Sequence, residues 1–280
     1  MNSKKFTARP DYPIGIFDSG IGGLTVAKAI TELLPREKII YFGDTAHMPY
    51  GEKSPHAIKA YSVRIAEFLI KQPCKLIVIA CNSASATAFK QVQAALPDKR
   101  FVINVIDPVV DHLVGKGKHK KIGLIGTKRT VSSAVYKKKF EKAAPDIRLK
   151  SLATPLLAPM IEEGFFNNKI SRTIVHSYLD NPHLSGIESI ILACTHYPLI
   201  INEISSYYKG RVDIVNSAEI VSGAVKDFLE SHELLNTANR IPSHKFFVSD
   251  YTASFEESAR IFFGSGLKLK EKNLWKGSEG

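Results

Sequence analysis

Cysteine is scarce in this sequence: three residues in 280, an odd number, with no CxxC or CxxxC pair among them. That excludes a disulfide framework and a cysteine zinc site, so no metal is expected and reduced thiols are. No window comes near the roughly 18 to 20 uninterrupted apolar residues of a membrane span. The opening MNSKKFTARPDYP lacks the apolar middle of a secretory signal, and a cytoplasmic protein is expected. Acids are outnumbered, 27 against 38 lysines and arginines, for a net charge of +11. The basic runs KGKHKK (Lys116 to Lys121) and KKK (Lys137 to Lys139) lack interleaved aromatics and match no nucleic-acid module. They read as a solvated face whose field favours a small anion, not as a polynucleotide site.

What is present is an alternation of short apolar runs with longer amphipathic ones, in a chain 44% hydrophobic and long enough to bury a large core. That pattern predicts an α/β protein with parallel strands joined by crossover helices. Strands are predicted at Ile14 to Phe17, Ile39 to Phe42, Leu76 to Ala80, Phe101 to Ile106, Ile122 to Ile125, Leu149 to Leu152, Ser189 to Ala193, Val212 to Val215 and Phe246 to Val248. Helices are expected to end near Pro35, Pro73 and Pro97, because proline lacks the amide hydrogen that continues the helical bonding.

The sequence also echoes itself. IGIFDSG from Ile14 returns as IGLIGT from Ile122, and VIACNSAS (Val78 to Ser85) returns as IILACTHYP (Ile190 to Pro198). Cys81 and Cys194 stand 113 positions apart (194 − 81), close to the spacing of the other echo. Two half-similar α/β units are implied, each with a first-strand turn and a later cysteine turn at the ligand-binding ends of its strands. No long Gly/Ser or charged linker divides them. Residues 1–106 with 217–280 are expected to form the first, discontinuous domain, SAEIVSGAVKDFL from Ser217 returning to it as a helix; residues 107–216 form the second.

Both cysteines follow strands and are expected at helix starts, with Asn82, Ser83 and Thr195 as first-turn or capping residues. Unpaired amides there ease loss of a thiol proton and welcome an anion. Either cysteine alone could equally be a small buried apolar residue; the matched pair argues for chemistry. Cys74, between Pro73 and Lys75, has no polar turn partner and is read as structural. The FDSGIGG turn resembles a dinucleotide fingerprint weakly, since Thr25 occupies the third glycine position and Asp18 would repel a pyrophosphate. It suits a smaller anion, with Asp18 serving an ammonium group or a proton relay. GDTAHMPYG (Gly43 to Gly51) is a loop with Tyr50 near its tip. Glu162 and Glu163 form an acidic pair after an apolar segment, and His196 either tunes Cys194 or caps a turn.

Together IGIFDSGIGGLTV, YFGDTAHMPYGEK, VIACNSAS, IGLIGTKRTV and LACTHYPL, in this order and spacing, resemble the glutamate racemase family of the wider aspartate/glutamate racemase superfamily over most of the chain. The resemblance implies two pseudo-symmetric α/β domains with mostly parallel sheets, an active site in the cleft between them, and a cofactor-independent reaction supplying D-glutamate for peptidoglycan. It implies Cys81 and Cys194 as the acid/base pair, assisted by Asp18, His196 and Glu162, with Glu163 not excluded. The implied substrate contacts are Asp18, Ser19, Pro49, Tyr50, Gly51, Asn82, Ser83, Thr127, Thr130, Thr195 and His196. Ser83 stands where the family commonly has threonine, which keeps the hydroxyl and loses a methyl contact. A homodimer is possible on this reading. Three rivals are an aspartate racemase, a nucleic-acid-binding protein and a cysteine hydrolase using Cys194 and His196; the last leaves Cys81 idle.

Overall fold

The computed structural model describes residues 8–99 and 101–275. Among the described residues are ten strands: β1 (Ile14–Asp18), β2 (Ile39–Gly43), β3 (Leu76–Ile79), β4 (Val102–Asn104), β5 (Lys121–Gly126), β6 (Arg148–Ala153), β7 (Ser189–Ala193), β8 (Asp213–Val215), β9 (Lys245–Val248) and β10 (Leu269–Glu271). They form two wholly parallel sheets, one in the order β10-β9-β2-β1-β3-β4 and the other β6-β5-β7-β8. Helices cover the sheets, which is why β1, β2, β3 and β7 are buried along their whole length and read as unbroken apolar runs.

The two sheets repeat one wiring plan. In each, the first strand of its unit lies between the second and the third, so chain direction across the sheet switches beside it. Ligands of such sheets bind at that switch, beyond the carboxyl ends of the two central strands. Phe17 pairs with Ile79, which sets Asp18 and Ser19 beside Ala80 and Cys81; Gly126 pairs with Ala193, which sets Thr127 beside Cys194. The sequence echo is thus a topological one, and it delivers each cysteine to a switch point.

All nine predicted strands are present, with two differences at the margins. The strand expected over Phe101 to Ile106 stops at Asn104, because the Asn104 carboxamide oxygen accepts from the amides of Ile106 and Asp107 and starts the helix Ile106–Lys116. The tail from Lys268, which carries no motif, adds the edge strand β10 against β9. The helix Ser217–Ser231 packs on the helix Leu24–Leu33. Cys74 is buried against β1, where a Cβ on Gly15 would lie 2.9 Å from its sulfur, and burial pushes its thiol up to about 12. Part of the basic runs is paired: Lys118 and His119 with Asp213, Lys120 with Asp146, Lys137 with Glu141 and Lys139 with Asp107.

Candidate active site

Cys81 lies two residues beyond β3 and is the N-cap of the helix Asn82–Ala95, its sulfur accepting from the Ala84 amide at 3.5 Å. The thiol also donates to the Ser19 hydroxyl at 3.6 Å. A helix start alone predicts a lowered pKa, but the opposite holds. Burial first, and the nearby Asp18 carboxylate second, push the thiol up to about 12 against the smaller pull of the Ala84 and Ser19 hydrogen bonds. Cys81 therefore rests as a protonated acid.

Cys194 differs. No α-helix starts at its turn: the Tyr197 amide bonds back to the Cys194 carbonyl, a 3-10 segment Tyr197–Ile200 follows, and the α-helix begins only at Ile201. Pro198 lies in the first turn of that segment. In place of helix amides, Cys194 has a histidine, with its sulfur 3.6 Å from His196 Nδ1. On the far side of the ring, His196 Nε2 lies 2.8 Å from a Glu162 carboxylate oxygen. That approach is ionic by distance without hydrogen-bond alignment. Burial alone would lower the His196 pKa, but Cys194 and Glu162 together raise it well above its ordinary value, so an imidazolium sits between a sulfur and a carboxylate. Glu163 is exposed and Glu162 half-buried, so Glu162 is the acid in this contact.

Asp18 joins the two cysteine turns. It is fully buried, accepts from the Gly20 amide at 3.1 Å, and accepts from the Thr195 hydroxyl of the other sheet's turn at 3.4 Å. Burial raises its pKa, countered by His196 and by the Gly23 and Gly20 amides. Gly22 lets the turns touch: a Cβ there would fall 2.4 Å from the His196 ring and 2.6 Å from the Thr195 hydroxyl.

A second strip of the seam is made of hydroxyls. Ser83 Oγ lies 2.9 Å from Thr127 Oγ1 and 3.5 Å from Thr130 Oγ1, and the two threonines are 3.1 Å apart. Gly51 packs on Thr127, where a Cβ would be 2.8 Å from the threonine's own. Pro49 follows a cis peptide bond beside Tyr50. Tyr50 is buried with its hydroxyl on Asp44 at 2.6 Å, so it fixes its loop from behind. The structure thus brings together Asp18, Ser19, Cys81, Glu162, Cys194, Thr195 and His196 in one strip, and Gly51, Ser83, Thr127 and Thr130 in its neighbour.

Sequence reasoning missed three residues. Thr25 donates to the Thr195 carbonyl at 2.9 Å, Tyr136 to the Asn82 carboxamide at 2.8 Å, and the Phe262 and His196 rings meet at a right angle with centroids 5.5 Å apart. Only Thr25 lies in a motif. A cavity of about 1070 Å³ lies apart from both cysteines, lined by residues of β4, β8 and the helices Ile106–Lys116 and Ser217–Ser231. Among the described residues no group of three His, Cys, Asp or Glu side chains is placed to hold a metal ion.

A doubled parallel α/β fold with a cysteine at the switch point of each half defines an amino-acid racemase. The chain belongs to the Asp/Glu/Hydantoin racemase family, whose model matches residues 14–223. It is 39% identical to the glutamate racemase of Geobacter metallireducens over 258 residues, 92% of this chain and 95% of that one. The glutamate racemase of Francisella tularensis, solved in complex with D-glutamate, superposes with a TM-score of 0.87 at 36% identity, covering 95% of this chain and 98% of the other. An aspartate racemase homologue from Pyrococcus horikoshii shares the fold, with a TM-score of 0.54 at 24% identity over 79% of this chain.

Proposed function

We propose that the chain interconverts L- and D-glutamate without a cofactor, by proton transfer between Cys81 and Cys194. The observation that carries this is the seam itself, where Asp18 beside Cys81 accepts from Thr195 beside Cys194, tying the two thiol sites into one polar strip. Inverting a carbon centre requires a proton to leave one face and another to arrive at the opposite face. The His196 imidazolium compensates a thiolate at Cys194, which takes the α-proton; the Cys81 thiol gives its proton to the other face and is left as thiolate. The roles are then exchanged. Asp18 through Ser19, and Glu162 through His196, are the groups that reset them.

No pyridoxal sink is invoked, so amides and hydroxyls must hold the charge that builds on the substrate. The Ser83, Thr127 and Thr130 hydroxyls and the unpaired amides at the helix start after Cys81 suit a dicarboxylate. The glutamate reading over aspartate rests on relatives at 39% identity across nearly the whole chain, whereas the aspartate homologue shares the fold alone. We place the enzyme in the cytoplasm, supplying D-glutamate to peptidoglycan synthesis, on the same kinship. No helix among the described residues is long and apolar enough to cross a membrane.

The test is circular dichroism of pure L- and pure D-glutamate with protein stripped of metal and cofactor. Both signals should decay to zero, and Cys81→Ala should leave both unchanged. Steady signals with the wild-type chain would refute the reaction; decay with Cys81→Ala would refute the role of that thiol.

A further inference from the structure

Asn82 comes directly after Cys81 and is 4% exposed. Its carboxamide oxygen accepts from Tyr136, a residue of the helix Val135–Ala143 that belongs to the other half of the molecule. Tyr136 is itself 2% exposed, and the helix carrying it starts at Ala134, whose φ of 54° turns the chain sharply after the helix Lys128–Ser132. A left-handed alanine is unfavourable, so the burial of Tyr136 and Phe140 on the next helix holds this turn. Burial, with Asp107 adding to it, pushes the Tyr136 phenol far above its ordinary range, so it stays neutral and donates.

With its oxygen held by Tyr136, the Asn82 side chain turns its two amide hydrogens elsewhere, and no protein acceptor meets them among the described residues. The amide nitrogen is not one of the fully buried polar atoms left without a partner, so water reaches it in the free protein, and a substrate carboxylate can take that water's place as acceptor. Rotated by half a turn, the same side chain would present an oxygen and repel that carboxylate. In the orientation seen, the Tyr136 hydroxyl donates to the carboxamide oxygen, and no other hydrogen bond among the described residues holds the side chain.

We propose that Tyr136 is a positioning residue that fixes the Asn82 amide with its donors towards a carboxylate of the amino-acid substrate. Because the bond crosses the seam, that donor pair is set only when the two halves are closed together. This rests on the glutamate reading above.

The experiment is a double-mutant cycle on Tyr136→Phe and Asn82→Ala, read as the Kd of D-glutamate by calorimetry and as kcat by circular dichroism. Tyr136→Phe should weaken Kd about tenfold while kcat changes about twofold or less, and adding it to Asn82→Ala should weaken Kd by no more than about twofold further. An unchanged Kd, or an equal loss in both backgrounds, overturns the proposal, since a merely structural tyrosine acts alike in both. Asn82→Asp keeps the oxygen that accepts from Tyr136 and lacks the amide hydrogens. It should lose at least as much affinity, and wild-type affinity there overturns the proposal even if Tyr136→Phe does not fold. A wild-type chain that leaves both enantiomers untouched overturns the reaction reading itself, a separate result from wild-type turnover with an unaffected Tyr136→Phe.

Discussion

The hydroxyl of Thr25 donates to the carbonyl oxygen of Thr195 at 2.9 Å, while also reaching the Gly22 carbonyl at 3.0 Å. One side chain at the start of the helix Leu24–Leu33 thereby fixes the backbone just after Cys194 in the opposite half. Thr25→Val keeps the shape and removes both bonds. The expected cost is about 1 to 2 kcal/mol in denaturant unfolding, with a fall in kcat of about tenfold as Thr195 and Cys194 lose their register against Asp18. Unfolding midpoints and initial racemisation rates measured on one preparation check both numbers.

The asymmetry of the two thiols makes a second prediction. A reaction that removes the α-proton and expels a β-halide needs one base, on one face. With serine at either cysteine, elimination from a halogenated glutamate should persist for one enantiomer only, and the surviving enantiomer should be opposite in the two variants. Racemisation should fall by about 10²-fold or more in each. Product formation from the two separate enantiomers reads this directly, and equal elimination from both would contradict one thiol per face.

How much of this was legible depended on whether the signal was local. Asp18, Ser19, Cys81 and Cys194 were readable because an apolar run followed by a polar turn marks the end of a buried strand, and the echo said it happened twice. The edge strand Leu269–Glu271 was not, since only Leu269 of its three residues is buried and the others are charged and exposed. Nor was the environment of Cys194, because a cysteine turn reads alike before a helix and before a 3-10 segment. The direction of the Cys81 shift also escaped: helix amides are written in the sequence, whereas burial beside Asp18 is a property of the closed fold. Tyr136 lies 54 positions from Asn82 on a helix with no motif, and nothing local marks it.

A third prediction concerns His196. Its pKa is raised in the folded protein, so the stability it contributes is fully present below its unfolded value near 6.5 and is lost as pH rises through the higher folded value. Glu162→Gln removes one of the causes of that rise. The variant should therefore be less stable than wild type at pH 6, with the gap closing as pH climbs through the raised pKa. Melting temperatures of both proteins in steps from about pH 5.5 to about pH 10 test the sign; a gap that widens with pH contradicts it.

The last prediction separates stability from catalysis at Asp18. Burial raises the pKa of this carboxyl above 3.8, so folding is most favourable where the group is protonated in both states. As pH rises from the unfolded value to the folded one, stability is lost, and the penalty persists at neutrality. Asp18→Asn carries no charge to desolvate. Its oxygen still accepts from the Gly20 amide, and its amide faces the Thr195 hydroxyl, which can rotate to accept. The variant should be more stable than wild type at pH 7 by on the order of 1 kcal/mol, and no more stable below about pH 3.8. Racemisation should nevertheless fall by about 10²-fold if the carboxylate beside Cys81 resets that thiol as proposed. Denaturant midpoints at pH 7 and pH 3.5, set beside the racemisation rate, give the two effects opposite signs; a destabilised Asp18→Asn at pH 7 would mean that the carboxylate holds the seam together, not that the fold bears it for the sake of the reaction.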